Sequence, residues 1–224
     1  MQHEGKYSIS VLGDSISTYI GYNPPGYPVY YRDDVLYDNE MTSVNDTWWK
    51  QVIDALGGEL NVNNSFSGSF VAGASKSSAC SDERCAGLSL FEAPDLILIY
   101  MGTNDRGYGW ELGMDAPNDR RGFLGAYRSM LQKIKRNYPA ARIVCATLPL
   151  WKTPEGREGA SENFKTIASR YDEAIRTAAK DESCLLADLA AFEERYEAGM
   201  GCHPTKKGHE QLASLWLRAL KGML

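Results

Sequence analysis

The chain has no apolar run long enough to cross a bilayer, which takes about 20 residues; its longest strongly apolar stretch is Leu96 to Met101. It also lacks a basic excess. Twenty-four Lys and Arg face 29 Asp and Glu, for a net charge of −5, so no electrostatic footprint for nucleic-acid phosphate exists. The five cysteines are irregularly spaced and form no C-x-x-C, which excludes a disulfide framework and a zinc ribbon. Cys145 and Cys184 sit in apolar runs as small core residues, whereas Cys80 and Cys85 either pair in an oxidising compartment or stay free thiols. There is no G-x-G-x-x-G, since Gly107-Tyr108-Gly109 lacks the third glycine, and no G-x-x-x-x-G-K-[ST] or H-E-x-x-H. Dinucleotide, phosphate-loop and zincin chemistry are therefore not indicated, and no cofactor or metal is expected. Histidine is scarce, with three copies. The start, Met1 to Lys6, is polar, and Asp14 interrupts the first apolar segment. The chain as given thus reads as cytoplasmic and without a membrane partner; a trimmed secreted parent would begin the same way.

What is present is ordinary for a globular protein: 224 residues, 43% hydrophobic and 24% charged. That length predicts one domain over 1–224 with its own core. Five short runs read as buried strands: Tyr7–Leu12, Leu60–Asn64, Leu96–Tyr100, Arg142–Ala146 and Cys184–Ala187. Helical periodicity lies between them. Trp49, Val52, Ile53 and Leu56 define one helix, with Asp46 as its expected cap and Gly57-Gly58 as its stop. Leu124 to Ile134 define a second, Phe164 to Ile175 a third capped by Ser161, and Leu212 to Leu220 the last. Alternating strands and helices predict a parallel sheet covered on both faces. One connection is unusually long. Residues 21–44 hold Tyr22, Tyr27, Tyr30, Tyr31 and Tyr37 with three prolines. Such a loop either packs its own aromatics on the domain or walls a cleft.

Ligands of an open parallel sheet bind at the carboxyl ends of the strands. After the first strand stands Gly13-Asp14-Ser15, after the second Ser65-Phe66-Ser67-Gly68, after the third Gly102-Thr103-Asn104-Asp105, and after the fifth His203-Pro204. A serine, small turns, an asparagine and a histidine are the parts of acyl transfer. The serine hydroxyl needs a base, and histidine titrates in the right range. Of the other histidines, His3 lies in the terminal tail, and His209 is expected to be solvated or capping at the start of the last helix. Each short motif is also common turn material; order and shared position make the set informative.

These blocks resemble the SGNH (GDSL-type) hydrolases over nearly the whole chain. Gly13-Asp14-Ser15 matches the first block, Asn63 to Gly68 the second, Gly102 to Asp105 the third and His203-Pro204 the last. Ser65 stands where the family more often has glycine. The resemblance implies Ser15 as nucleophile and His203 as base. It implies an oxyanion hole from the Ser15 and Gly68 N–H groups and the Asn104 amide. It also implies a flavodoxin-like three-layer α/β/α sandwich with a five-stranded parallel sheet; the α/β-hydrolase elbow G-x-S-x-G is absent.

One position departs from the pattern. Met200 stands three residues before His203, where the family has an aspartate. Methionine cannot accept the imidazole N–H as a carboxylate does. A backbone carbonyl can orient His203 instead, or another carboxylate can substitute, with Glu197 nearest in sequence and Asp188 after the fifth strand; otherwise the site is weakened. The expected function is a serine esterase acting on a small-molecule or carbohydrate ester, with O-acetyl groups favoured by the tyrosine-rich loop and Trp151. A ligand-binding relic, an acyltransferase, and a lysophospholipase or thioesterase are the alternatives.

Overall fold

The structure is a computed structural model that describes residues 7–32, 39–116 and 118–224. His3, Tyr37 and the polar start lie outside the described residues. The five apolar runs form strands β1 (Tyr7–Gly13), β2 (Gly58–Ser65), β3 (Leu96–Tyr100), β4 (Arg142–Ala146) and β6 (Leu185–Ala187); β5 (Trp151–Lys152) and β7 (Tyr196–Glu197) make a separate two-stranded ribbon. Every residue of β3 is buried. That explains its unbroken apolar sequence, because a central parallel strand is covered on both faces.

The sheet order is β2-β1-β3-β4-β6, and every pair is parallel. This is the flavodoxin-like order, whose topological switch point lies between β1 and β3. Register brings the strand ends level. Gly13 lies opposite Ser65 on β2 and opposite Tyr100 on β3. A bulge between Ile9 and Val11 lets β2 run one residue longer and still reach that alignment.

Helices α1 (Trp48–Ala55) and α6 (Lys206–Leu220) pack together, and α4 (Phe123–Asn137) packs on α5 (Glu162–Asp181) and α2 (Asp82–Ala86). Trp48 stacks on Trp216 at 5.0 Å between ring centroids, with Tyr100 of β3 edge-on to Trp48. Phe123 meets Tyr171 edge-on at 5.0 Å between α4 and α5. The sheet is thus the middle of three layers.

Ser161 caps α5 as expected, its side chain accepting from the Phe164 N–H. The cap of α1 is Thr47, not Asp46. Asp46 closes a 3-10 turn over Val44–Asp46 instead, its carboxylate accepting from the Thr42 and Ser43 N–H groups. Two helices were not visible in the periodicity: α2 and α3 (Thr103–Tyr108). Each is shorter than two turns of about 3.6 residues, too short for an apolar stripe to repeat. Cys80 and Cys85 are free thiols.

Candidate active site

The first block leaves β1 through Gly13. A Cβ there would lie 2.5 Å from the Ser17 side chain and 2.8 Å from the Ser65 hydroxyl, so only glycine permits the turn to fold back so tightly. Asp14 then caps a 3-10 turn over Ser15–Ser17, its Oδ1 accepting the Ile16 N–H at 3.0 Å. The turn holds the Ser15 side chain nearly buried at the carboxyl edge of the sheet.

The second block is anchored to the first. The Phe66 N–H donates to the Gly13 carbonyl, and the Ser67 N–H donates to Pro28 of the long loop. Gly68 follows at φ +79°, in the left-handed region that a side chain disfavours. Its N–H, like that of Ser15, has no protein acceptor among the described residues. The third block is locked to the second. Asn104 Nδ2 donates to the Ser69 carbonyl at 2.8 Å, and Asp105 accepts the Val71 and Ala72 N–H groups. One of the two Asn104 amide hydrogens is thereby used and one remains.

The last block arrives from the other end of the chain. A tight loop after β7 turns at Met200, with the His203 N–H donating to the Met200 carbonyl and the Gly199 N–H to the His203 carbonyl. This places His203 Nε2 2.9 Å from Ser15 Oγ across 188 residues of sequence. The other ring nitrogen, Nδ1, lies 3.1 Å from the Met200 carbonyl oxygen. A carbonyl only accepts, so Nδ1 carries the hydrogen and Nε2 presents its lone pair to the serine hydroxyl. Burial lowers the His203 pKa, and the Met200 carbonyl opposes this. The ring is therefore neutral, and able to take a proton, at neutral pH.

The model of the GDSL-like Lipase/Acylhydrolase family matches residues 7–215. The chain belongs to this family. Crystal structures from Bacteroides ovatus and Bacteroides uniformis, both described as GDSL-like lipases, superpose with TM-scores of 0.75 at 25% and 27% identity. The first match covers 97% of this chain and 99% of its counterpart, and the second 97% of each. A multidomain esterase of Ruminococcus flavefaciens is 26% identical over 137 residues, 59% of this chain but only 16% of that protein. A carbohydrate esterase family 2 enzyme with its carbohydrate binding domain, from Corynascus thermopiles (Myceliophthora fergusii), shares the fold. It superposes with a TM-score of 0.61 at 20% identity, over 98% of this chain and 67% of that one.

Within this GDSL-type frame, the two carboxylates considered for His203 are engaged elsewhere. Glu197 lies on β7, where its carboxylate accepts from the Thr205 hydroxyl at 2.8 Å and from Lys207 Nζ at 3.1 Å. It thereby braces the start of α6 and makes no bond to the imidazole. Asp188 holds Arg176 and the Thr147 hydroxyl. Trp151 is likewise committed: it lies on the β5–β7 ribbon, half-buried and edge-on to Phe164 at 5.4 Å. His209 is fully buried rather than solvated, and its Nδ1 accepts the Trp48 N–H at the start of α1. It caps a neighbouring helix, not its own.

The described part of the long loop does two things. Tyr31 is buried, and its hydroxyl donates to the Pro204 carbonyl at 3.0 Å; Tyr27 meets Phe66 edge-on at 4.9 Å. Tyr30 instead lies flat on His203, with ring centroids 3.7 Å apart and planes 7° from parallel. The sequence marked the loop but offered no spacing signal to single out this tyrosine. It gave no sign of Arg84 either. That buried guanidinium donates to the carbonyls of Gly13, Asn64 and Ser77 and to Asn64 Oδ1, tying together the ends of β1 and β2.

Asp14, Asp105 and Asp172 are buried carboxylates, and burial raises each pKa to about 6. Hydrogen bonds from backbone N–H groups oppose the shift in all three. Among the described residues, no group of three or more His, Cys, Asp or Glu side chains is placed to hold a metal ion. No described helix is long and apolar enough to cross a membrane.

Proposed function

We propose that the protein is a serine esterase that hydrolyses short-chain carboxylic esters, with O-acetylated carbohydrates as the preferred substrates. The observation that carries this reading is the contact between Ser15 Oγ and His203 Nε2, with the imidazole oriented by a backbone carbonyl. In the first half-reaction, Nε2 takes the Ser15 proton as Oγ attacks the ester carbonyl. The developing oxyanion is held by the unused N–H groups of Ser15 and Gly68 and by the free Asn104 amide hydrogen. Each such donor is worth roughly 2.7–4 kcal/mol in the transition state. His203 then returns the proton to the departing alcohol, leaving an acyl-Ser15 ester. Water repeats the sequence, releasing the acid and restoring the serine.

Two things support a carbohydrate alcohol. Asn104 and Tyr108 are four residues apart on α3 and share a face. Tyr108 is 79% exposed and backed by Phe70 at 5.5 Å; an exposed aromatic ring on the helix face that carries Asn104 suits a pyranose ring. The second support is likeness: this fold is shared with a carbohydrate esterase.

The test is steady-state hydrolysis of an aryl acetate by the wild type, Ser15→Ala and His203→Ala. Wild-type activity that collapses in both variants is expected, together with fluorophosphonate labelling of Ser15. A folded wild type that neither turns over nor labels would defeat the esterase reading. A panel of acetylated sugars processed no better than the aryl acetate would remove the carbohydrate preference.

A further inference from the structure

We propose that Tyr30 is the positioning residue of His203, its ring holding the imidazole in the plane that a neighbouring carboxylate would otherwise enforce. The proposal rests on the Ser15–His203 reaction above. With Met200 at the usual aspartate position, a single carbonyl oxygen receives Nδ1–H. One such contact is a soft restraint, and small turns of the ring about its Cβ–Cγ bond keep Nδ1 within reach of the carbonyl. Rotation of that kind would swing Nε2 and its lone pair off the serine hydroxyl. A ring stacked at 3.7 Å and within 7° of parallel blocks it sterically.

Tyr30 is itself fixed to both reacting groups. Its N–H donates to the Thr18 hydroxyl at 2.8 Å, and that hydroxyl donates to the Ser15 carbonyl at 2.9 Å. The chain of two bonds ties Tyr30 to the turn that carries the nucleophile. On the other side, Tyr31 meets Tyr30 edge-on at 4.8 Å and bonds the carbonyl of Pro204, the residue after the base. Displacement of Tyr30 relative to either Ser15 or His203 therefore strains a bonded neighbour.

The stack also acts unequally on the two states of the ring. When Nε2 takes the serine proton the imidazole becomes a cation, and the negative face of the phenol ring attracts it more strongly. An interaction that strengthens as charge develops lowers the barrier rather than merely improving ground-state packing.

The experiment compares the wild type, Tyr30→Phe, Tyr30→Leu and Ser15→Ala on an aryl acetate, with kcat counted per fluorophosphonate-titratable Ser15. Tyr30→Leu should lower kcat about 10- to 30-fold with KM within about twofold, while Tyr30→Phe, which keeps the stack, stays within about threefold of wild type. The His203 ring protons, shifted upfield by the stacked ring in the wild type and the Phe variant, should move downfield in the Leu variant. Tyr30→Met fills the space without a ring and is measured alongside in case the Leu variant fails to fold. Wild-type kcat in both ring-less variants, with Ser15→Ala inactive, would overturn the proposal and leave the reaction standing. A Phe variant as slow as the Leu variant would also overturn it, by assigning the effect to the hydroxyl. Full activity in Ser15→Ala would instead sink the reaction, and the proposal with it.

Discussion

His209 is a buried, neutral imidazole, and its removal should change how stability depends on pH. Its Nδ1 accepts the Trp48 N–H at 3.2 Å, Tyr31 meets its ring edge-on at 4.7 Å, and no surface is exposed. Burial lowers its pKa from 6.5 to about 3, with the Asp46 charge opposing and the His203 charge adding to the shift. Between those two values the unfolded chain binds a proton on this residue and the folded protein does not. Stability therefore rises with pH through that window at about 1.4 kcal/mol per pH unit. The contribution is complete above 6.5 and is lost as the pH falls toward 3. Acidification to about pH 4.5 crosses two units of the window, so about 3 kcal/mol should disappear. Asp14, Asp105 and Asp172 act with the opposite sign: their raised pKa values favour the fold below 3.8 and lose that effect as the pH rises through about 6. They are present in both proteins and cancel in a difference. The assay is urea unfolding of the wild type and His209→Leu from about pH 4.5 to about pH 7.5. At neutral pH the variant should be less stable by about 1–3 kcal/mol, because Trp48 loses its acceptor. That gap should close, or reverse, at the acid end. A gap of equal size at both ends would refute the neutral buried ring.

Two further substitutions probe the rim of the sheet. Asn104→Ala should lower kcat on an aryl acetate by about 10²–10³ with little change in KM, since the donor is used only as charge develops on the carbonyl oxygen; a loss under about threefold would take Asn104 out of the transition state. Arg84→Met should destabilise the protein by more than about 3 kcal/mol in urea unfolding, because the carbonyls of Gly13, Asn64 and Ser77 lose a buried donor together, at about 1–3 kcal/mol each. A loss below about 1 kcal/mol would show that water or neighbouring N–H groups replace the guanidinium.

What the sequence discloses of this molecule follows from the range of each interaction. The central strands β1, β3 and β4 are legible because burial on both faces demands apolar runs, and Leu96–Tyr100 obeys that demand without exception. The long helices are legible for the same reason, through the stripe that α4, α5 and α6 each bury. Three of the four blocks are legible because each sits immediately after its strand, and the level register of Gly13, Ser65 and Tyr100 turns that sequence position into spatial neighbourhood; the fourth, His203-Pro204, reaches Ser15 on the loop after β7. What is not legible is whatever depends on one loop meeting another. Residue spacing draws attention to Glu197, six residues before His203, but the chain between them doubles back and the carboxylate points into the start of α6. His209 looks solvated among polar neighbours in sequence, yet helical geometry turns it inward under Trp48, away from those same neighbours. Tyr30 is one of five tyrosines in 21–44, and bonds between distant parts of the chain, from its N–H to Thr18 and from the Tyr31 hydroxyl to Pro204, bring its ring, rather than that of Tyr22 or Tyr27, onto the imidazole. The same contrast bears on Met200. A missing aspartate in the sequence suggests a missing function, but orienting an imidazole requires an acceptor and a restraint on its plane, not a particular residue. Here a main-chain carbonyl is positioned to supply the first, and a ring from a segment more than 170 residues away to supply the second.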